Sequence, residues 1–248
     1  MRNRPIVRLG DEDAALAKQI VLHEDAHMLA LNKPAGLPCQ TRNTGDRSLD
    51  HFLWAFARSN GKRPYLVHRL DQQTSGVIVA ARTKPAAVVL HGAFERRDVT
   101  KTYLALVSAR GEGASNGRID APITDQRAGR LVRSAVASSP QDDGARKAVT
   151  RWKTLARQEG VALLRVQPET GRMHQIRVHL AHSGMPILGD YQYGDGAAPG
   201  ALRTMLHAAS IDVPHPSGGR AVFHAPPPVD FLEACERFGF GRALEALP

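Results

Sequence analysis

The sequence predicts an α+β fold with a mixed, mainly antiparallel central sheet flanked by helices. Segments with strand-like composition outnumber amphipathic helical segments in the 248 residues. Most neighbouring strand segments are joined by short turns, as antiparallel pairing allows and parallel βαβ units do not. No internal repeat and no break in composition divides the chain, so we expect a single domain over 19–248 preceded by a flexible N-terminal arm over 1–18.

The first half of the chain alternates strands and helices. Ser48 has the side chain of a helix N-cap, and Pro85 suits the first residue of a helix. The apolar run after Gly76 is rich in β-branched residues, which is typical of a buried strand. The predicted elements are strands over 19–24, 27–33 and 77–81, and helices over 49–59 and 85–96.

The second half is dominated by strands. A long pair surrounds the turn Glu159–Gly160, and a short helix begins after Met173 and ends near Gly184. The predicted strands are 101–109, 148–158, 161–169, 203–213 and 220–225, the loops are 111–118 and 134–146, and the last helix is 229–238.

The charge of the chain favours a polyanionic partner. The formal net charge is +9, which is most simply explained by nucleic acid binding. Eight Lys and Arg residues lie between positions 144 and 184, against two Glu residues, although such a run is also typical of a solvated face.

The cysteines and the apolar segments exclude several classes of protein. Cys39 and Cys235 form no Cys-x-x-Cys pair, which argues against a disulfide scaffold and against a thiolate zinc site. No apolar segment approaches the roughly 20 residues that a membrane span needs. We therefore expect a cytoplasmic protein that does not contact membranes.

The loop over 68–76 concentrates ionisable and hydrogen-bonding groups before a core strand. Its sequence is His-Arg-Leu-Asp-Gln-Gln-Thr-Ser-Gly, and Asp71 is its carboxylate. Catalytic groups are often held on loops in such positions. The alternative is a turn in which Asp71 only accepts hydrogen bonds from backbone N–H groups.

A second group of candidates lies in the predicted helix after Gly171. At about 100° per residue, Arg177 falls inside the apolar stripe of this helix. An arginine on the inward face must be paired, because an unpaired buried charge costs several kcal/mol. Asp71 is a natural candidate for the partner, and an ionised carboxylate held by a guanidinium is a usable nucleophile. The alternatives are that Arg177 extends to solvent or that the segment is a strand.

Other chemistries find no support in the sequence. His174, His179 and His182 do not have the spacing of a zinc-binding helix, and no acidic ligand lies between them. Phosphate-binding, dinucleotide-binding and serine-hydrolase motifs are absent as well. Carboxylate chemistry on a basic protein remains, with no metal and no cofactor.

Four segments together resemble the RluA-type pseudouridine synthases. The loop over 68–76 is similar to the catalytic motif of that family, and the other three matches occur in the order of the family's motifs, at 32–36, 101–107 and 171–179 with 186–190. Met173 stands where the family usually has a small hydroxyl residue. The resemblance implies the pseudouridine synthase catalytic fold and the isomerisation of uridine in RNA without cofactor or metal.

The resemblance also implies roles for individual residues. Asp71 would be the nucleophile, Arg177 would pair with it and orient it, and Tyr103 would contact the flipped base and take part in proton transfer. Tyr103 could instead be a core tyrosine. Arg69 would help to displace the target base, or could contact a phosphate at the surface. The residues expected to bind RNA are Arg69, His68, Lys33, Lys101, Arg172, His174 and Gln175.

The expected substrate is a stem-loop of ribosomal or transfer RNA, and the expected oligomeric state is a monomer. Only 31 residues precede Asn32, so we expect no separate N-terminal RNA-binding domain. Whether the nucleophile attacks C6 of the base or the sugar carbon stays open. Two other functions also stay open, namely a non-catalytic RNA-binding module and a carboxylate-dependent hydrolase of a polyanion.

Overall fold

The computed structural model describes residues 9–41, 46–109, 114–128, 131–158, 160–196 and 200–245. Strands outnumber helices within these ranges. The strand pairs that are numbered β1–β2, β2–β4, β3–β4, β5–β10, β9–β10, β6–β9, β7–β8 and β11–β12 below are antiparallel. The predicted α+β class with a mainly antiparallel sheet is therefore confirmed. The strands are β1 Val21–Glu24, β2 Met28–Lys33, β3 Tyr65–Leu66, β4 Ser75–Ala81, β5 Thr100–Ser108, β6 Asn116–Asp120, β7 Ile123–Ala128, β8 Leu131–Val136, β9 Val149–Gln158, β10 Val161–Pro168, β11 Leu206–Pro214 and β12 Arg220–His224. The helices are α1 Asp11–Gln19, α2 Leu49–Phe52, α3 Lys84–Glu95, α4 Gln175–His182, α5 Val229–Arg237 and α6 Gly241–Glu245.

The chain forms two compact units. The first unit comprises residues 1–100 and 208–226, and the second comprises residues 101–207 and 227–248. The prediction of one domain over 19–248 stays a prediction.

The first unit is built on strand β4. Every residue of β4 is buried, as its run of β-branched and small apolar side chains predicts. β2 and β3 both pair with β4, β1 continues the sheet beyond β2, and β12 pairs with β11. Ser48 caps α2 as predicted, because its side chain accepts a hydrogen bond from the N–H of His51.

The second unit carries the strand order β5–β10–β9–β6. β9 and β10 form the long antiparallel pair predicted around Glu159–Gly160, although residue 159 itself lies outside the described residues. Helix α4 packs against β8, β9 and β10, and a separate two-stranded sheet consists of β7 and β8. The segment after Met173 is therefore a helix, and the alternative of a strand is wrong.

Several predicted boundaries are corrected by the structure. Residues 11–18, predicted to belong to a flexible arm, lie in helix α1, whose first turn is acidic and whose last turn carries Lys18, as the helix dipole favours. Residues 1–8 of the predicted arm lie outside the described residues. The predicted loops over 111–118 and 134–146 are shortened by β6 and β8, because strand pairing with β9 and β7 orders these polar segments. The predicted helix over 49–59 consists of α2 followed by a 3₁₀ turn that ends at Phe56.

Helices that combine the length and the hydropathy of a membrane span do not occur in the part of the chain that the structure describes.

Gly76, at the start of β4, lies so close to the backbone of Ala208 that a substitution there tests the packing of the first unit. Its φ is +112°, and a Cβ there would lie 2.2 Å from the carbonyl oxygen of Ala208. We expect Gly76→Ala to destabilise the protein by roughly 3 kcal/mol, because backbone strain and a clash with backbone atoms add. The urea midpoint of unfolding measures this loss.

The matched control is Gly184→Ala. Gly184 also has a positive φ, +73°, but a Cβ there meets no atom within 4 Å. This variant should lose only about 1 kcal/mol, the cost of the left-handed backbone alone. Equal midpoints for the two variants would show that the contact with Ala208 does not matter.

Candidate active site

The loop that carries Asp71 is fixed by backbone hydrogen bonds. The N–H of Thr74 donates to the carbonyl of Asp71 over 3.1 Å, and the N–H of Gly36 donates to the carbonyl of Gln72 over 2.9 Å. The predicted loop over 68–76 is thus in direct contact with the segment over 32–36, whose sequence is Asn-Lys-Pro-Ala-Gly. Asp71 itself is partly exposed, so its side chain is not sealed in the core.

Lys33 joins the same two segments from the inside. Its side chain is fully buried, and Nζ donates to the carbonyls of Pro34 and Leu37 over 2.8 Å each and to that of Gln72 over 3.1 Å. An ammonium group has three donors, and each of these carbonyls takes one. This lysine supports the loop from within, and its predicted contact with RNA stays a prediction.

Cys39 makes a further connection to the loop. Its Sγ lies 3.2 Å from the carbonyl oxygen of Leu70 and accepts the N–H of that residue over 3.3 Å. Burial raises the pKa of the thiol, whereas the charges of Lys33 and Arg69 lower it and that of Asp71 raises it. The charges of Lys33, Arg69 and Asp71 therefore act on this buried thiol.

His68 continues the pairing of β3 with β4 through its side chain. The N–H of Val79 donates to Nε2 of His68 over 2.9 Å, so this nitrogen is an unprotonated acceptor. The imidazole also stacks on Phe94 with 4.8 Å between ring centroids. These contacts are structural, and the predicted RNA contact of His68 stays a prediction, as does that of the exposed Arg69.

In the second unit, Arg177 forms a buried ion pair with Asp190. Nε and Nη2 of the guanidinium donate to the two carboxylate oxygens over 2.7 and 2.9 Å. The side chains are 11% and 1% exposed. Such a bidentate pair fixes both the position and the plane of the guanidinium.

The ionised state of Asp190 is maintained by its neighbours. Burial by itself would raise the pKa of this carboxyl group. The hydrogen bonds and the charge of Arg177 lower the pKa below its usual value, helped by the N–H groups of Gln192 and Tyr193. Asp190 is therefore a carboxylate over the whole physiological range.

The prediction that Arg177 must be paired is confirmed, and the carboxylate that the structure shows for it is Asp190. Sequence reasoning missed this role, although Asp190 stands in a quoted motif directly after Gly189. The predicted pairing of Arg177 with Asp71 stays a prediction, since Asp71 belongs to the first unit and Arg177 to the second.

Gln175 is a structural residue of the second unit. It is 4% exposed, and its side-chain oxygen accepts hydrogen bonds from Thr170 Oγ1 and from the N–H of Arg172. Its side-chain nitrogen donates to Val149 O and Thr150 Oγ1. Its side-chain oxygen and nitrogen are thus both bonded inside the protein, and its predicted RNA contact stays a prediction.

Tyr103 and Lys101 lie two residues apart on β5, so they share one face of the strand. Tyr103 is 9% exposed and lies opposite Val166 of β10. Nζ of Lys101 donates to the carbonyl of Thr170 over 3.4 Å, and burial lowers the pKa of this lysine to about 8. The predicted roles of both residues in RNA binding and catalysis stay predictions.

Arg172 and His174 flank the start of α4. Nε of Arg172 donates to the carbonyl of Lys147 over 3.1 Å. His174 is the N-cap of the helix and has a left-handed backbone with φ of 52°. Both side chains are partly exposed, and their predicted RNA contacts stay predictions. Among the described residues, no three His, Cys, Asp or Glu side chains are placed so that they could hold a metal ion.

Asp71 thus lies partly exposed on a fixed loop of the first unit, and Arg177 is buried and paired in the second unit. A family model described as RNA pseudouridylate synthase matches residues 27–182. The chain therefore belongs to the RNA pseudouridine synthase family, and it is an isomerase that acts on RNA.

Individual relatives support this assignment over most of the chain. The ribosomal large subunit pseudouridine synthase C of Escherichia coli (strain K12) is 36% identical over 90% of this chain and 70% of its own length. The tRNA pseudouridine synthase C of Pasteurella multocida (strain Pm70) is 37% identical over 79% of this chain and 86% of its own. The solved structure of human RNA pseudouridylate synthase domain containing 4 is 26% identical, with a TM-score of 0.75 over 92% of this chain and 97% of that one.

The Arg177–Asp190 pair yields a stability prediction. We expect Asp190→Ala to lower the free energy of unfolding by about 3–5 kcal/mol, because it leaves a buried guanidinium without its carboxylate. Urea unfolding at neutral pH measures this. Glu169→Ala is the control, since Glu169 pairs with Arg151 at the surface and its loss should cost about 1 kcal/mol or less. Similar losses of unfolding free energy for Asp190→Ala and Glu169→Ala would show that the Arg177–Asp190 pair is no more important for stability than a surface ion pair.

Proposed function

We propose that this enzyme converts specific uridines of ribosomal or transfer RNA to pseudouridine, with Asp71 as nucleophile and without a cofactor. The proposal rests on the Asp71 loop, in which the backbone is fixed by Lys33 and Gly36 while Asp71 stays partly exposed. A nucleophile needs both properties, since it must be held in place and must reach its substrate.

The proposed reaction is an isomerisation in which atoms balance without a co-reactant. The bond between N1 of uracil and C1′ of the ribose breaks, the base turns, and a bond between C5 and C1′ forms. The hydrogen on C5 leaves as a proton, and N1 takes one up. The Asp71 carboxylate attacks either C6 of the base or the sugar carbon, and both routes give the same product.

In this proposal Arg177 and Tyr103 assist the carboxylate. Arg177 orients Asp71 and stabilises its charge, and the pair with Asp190 keeps the guanidinium in one plane for that role. Tyr103 contacts the flipped base and takes part in proton transfer. A uridine inside folded RNA must leave its stack before it can react, at a cost of a few kcal/mol. Phosphate contacts of the basic segment over 144–184 offset this cost.

The relatives point to two classes of substrate. The Escherichia coli relative is named for the large ribosomal subunit and the Pasteurella multocida relative for tRNA. We propose that this enzyme acts on one or both of these RNA classes, at a stem-loop, as a monomer in the cytoplasm.

Pseudouridine mapping of total RNA tests the proposal. A strain that lacks the gene should lose pseudouridine at one or more positions of ribosomal or transfer RNA that its parent modifies. Wild-type protein should restore these positions and Asp71→Asn should not, because an amide cannot act as the nucleophile. Asp143→Asn, which changes an exposed aspartate, is the matched control and should restore them.

The other outcomes each overturn the proposal. Unchanged pseudouridine in the deletion strain, or full restoration by Asp71→Asn, contradicts the assigned reaction or its nucleophile. RNA binding by purified protein without any isomerisation would favour a binding module. Release of free base or cleavage of the RNA would favour a hydrolase.

A further inference from the structure

Tyr193 lies between two arginines of the second unit. The centroid of its ring is 4.9 Å from Cζ of Arg177 and 5.1 Å from Cζ of Arg133. Arg177 belongs to α4, whereas Arg133 is an exposed residue of β8. A cation over an aromatic face is attracted by the ring, and the attraction grows when the contact is shielded from water. Tyr193 therefore contacts both the site arginine and the β7–β8 hairpin.

The hydroxyl group of Tyr193 connects the same two elements. It accepts the N–H of Ser134 in β8 over 3.0 Å, and it lies 2.8 Å from Nδ1 of His174. Burial raises the pKa of this phenol, so the hydroxyl stays protonated. It can therefore donate a hydrogen bond to Nδ1 of His174 while it accepts one from the N–H of Ser134. Ring and hydroxyl thus make separate contacts with the hairpin and with the start of α4.

The contact with His174 fixes a residue in an unfavourable conformation. His174 has φ of 52° and ψ of 19° at the N-cap of α4. A non-glycine residue pays about 1–2 kcal/mol for the left-handed region and stays there only when its surroundings hold it. The hydrogen bond to Tyr193 is one of the contacts that hold it, and α4 begins directly after it.

The segment over 190–193 also links the hairpin to Asp190. The N–H groups of Gln192 and Tyr193 donate to Oδ1 of Asp190 over 3.0 and 3.2 Å. Nη2 of Arg133 donates to the carbonyl of Gln192 over 2.6 Å. The turn that holds the carboxylate of the Arg177–Asp190 pair is therefore bonded to the hairpin by its backbone and by Tyr193.

We propose that Tyr193 is a positioning residue that couples the β7–β8 hairpin to Arg177. RNA phosphate bound at Arg133 holds the hairpin in place, and Tyr193 transmits this order to the guanidinium of Arg177. The inference rests on the proposed function, because the reaction that it affects is the isomerisation of uridine. If the coupling exists, the rate of the chemical step depends on Arg133, although Arg133 does not belong to the Arg177–Asp190 ion pair.

Steady-state kinetics of purified protein with the RNA found by mapping tests this coupling. We expect Tyr193→Leu, which removes ring and hydroxyl, to lower kcat about tenfold while KM changes less than about threefold, since the lost contacts orient a site group. Tyr193→Phe keeps the ring between the guanidinium groups and should lower kcat only about threefold. A positioning role predicts this partial rescue and this split between kcat and KM.

A double-mutant cycle identifies the route of the coupling. Arg133→Ala should lower kcat about fivefold in the wild-type background and have almost no further effect in Tyr193→Leu, because residues that act through one another are not additive. Arg118→Ala is the control, since Arg118 is a surface cation paired with Asp120 on β6. Any effect of this control should be the same in both backgrounds.

The results that would overturn the inference are separate from those that would overturn the proposed function. Unchanged kcat in Tyr193→Leu, or additive effects of Arg133→Ala and Tyr193→Leu, refutes the coupling while the enzyme remains active. If Tyr193→Leu does not fold, as circular dichroism would show, the cycle is made with Tyr193→Phe. Because Phe keeps the ring and loses the hydroxyl contacts, Arg133→Ala should lower kcat there by clearly less than in the wild type, and an equal effect in the two backgrounds refutes the coupling. Wild-type protein that forms no pseudouridine on any RNA refutes the proposed function, and the coupling with it.

Discussion

The buried ion pair between Arg177 and Asp190 constrains much of the second unit. A guanidinium that is 11% exposed is tolerated only with a carboxylate in bidentate geometry, and the distances of 2.7 and 2.9 Å provide it. Helix α4 must therefore direct Arg177 inward, and the turn after Gly189 must place Asp190 opposite it. That turn is in turn bonded to the β7–β8 hairpin, so the pair, the helix and the hairpin depend on one another.

The first unit also contains a buried cation, whose hydrogen bonds are accepted by backbone carbonyl groups. Lys33 is fully buried, yet the partners shown for its ammonium group are three carbonyl oxygens. These bonds hold the loop before β4 against the Asn-Lys-Pro-Ala-Gly segment over 32–36, and Asp71 in that loop is partly exposed. In both units a buried cation thus fixes a loop through several hydrogen bonds, from Lys33 in the first and from Arg177 in the second.

Local signals in the sequence predict the cap at Ser48, the α4 helix and most strands, because periodicity and capping act between near neighbours. They miss β3, β6, β7 and β8, which are short or polar and are ordered by pairing with other strands. They do not reveal α1, whose weakly apolar sequence is stabilised by its charge distribution and by packing. The physics of a buried arginine predicts that Arg177 is paired, but the identity of its partner depends on how the chain returns at Asp190. The family resemblance places Lys33 and Gln175 among the RNA-binding residues, and the fold adds that both side chains are buried and hydrogen-bonded inside the protein, which no local sequence signal indicates.

The measurement that tests the central claim most directly is the release of the C5 hydrogen of uridine. Purified protein is mixed in excess with RNA that carries tritium at C5 of its uridines, and the tritium that enters water is compared with the pseudouridine formed. We expect equal amounts for the wild type, and no release by Asp71→Asn although that variant still binds the RNA. Release by Asp71→Asn at the wild-type rate would contradict the claim that this carboxylate carries the reaction.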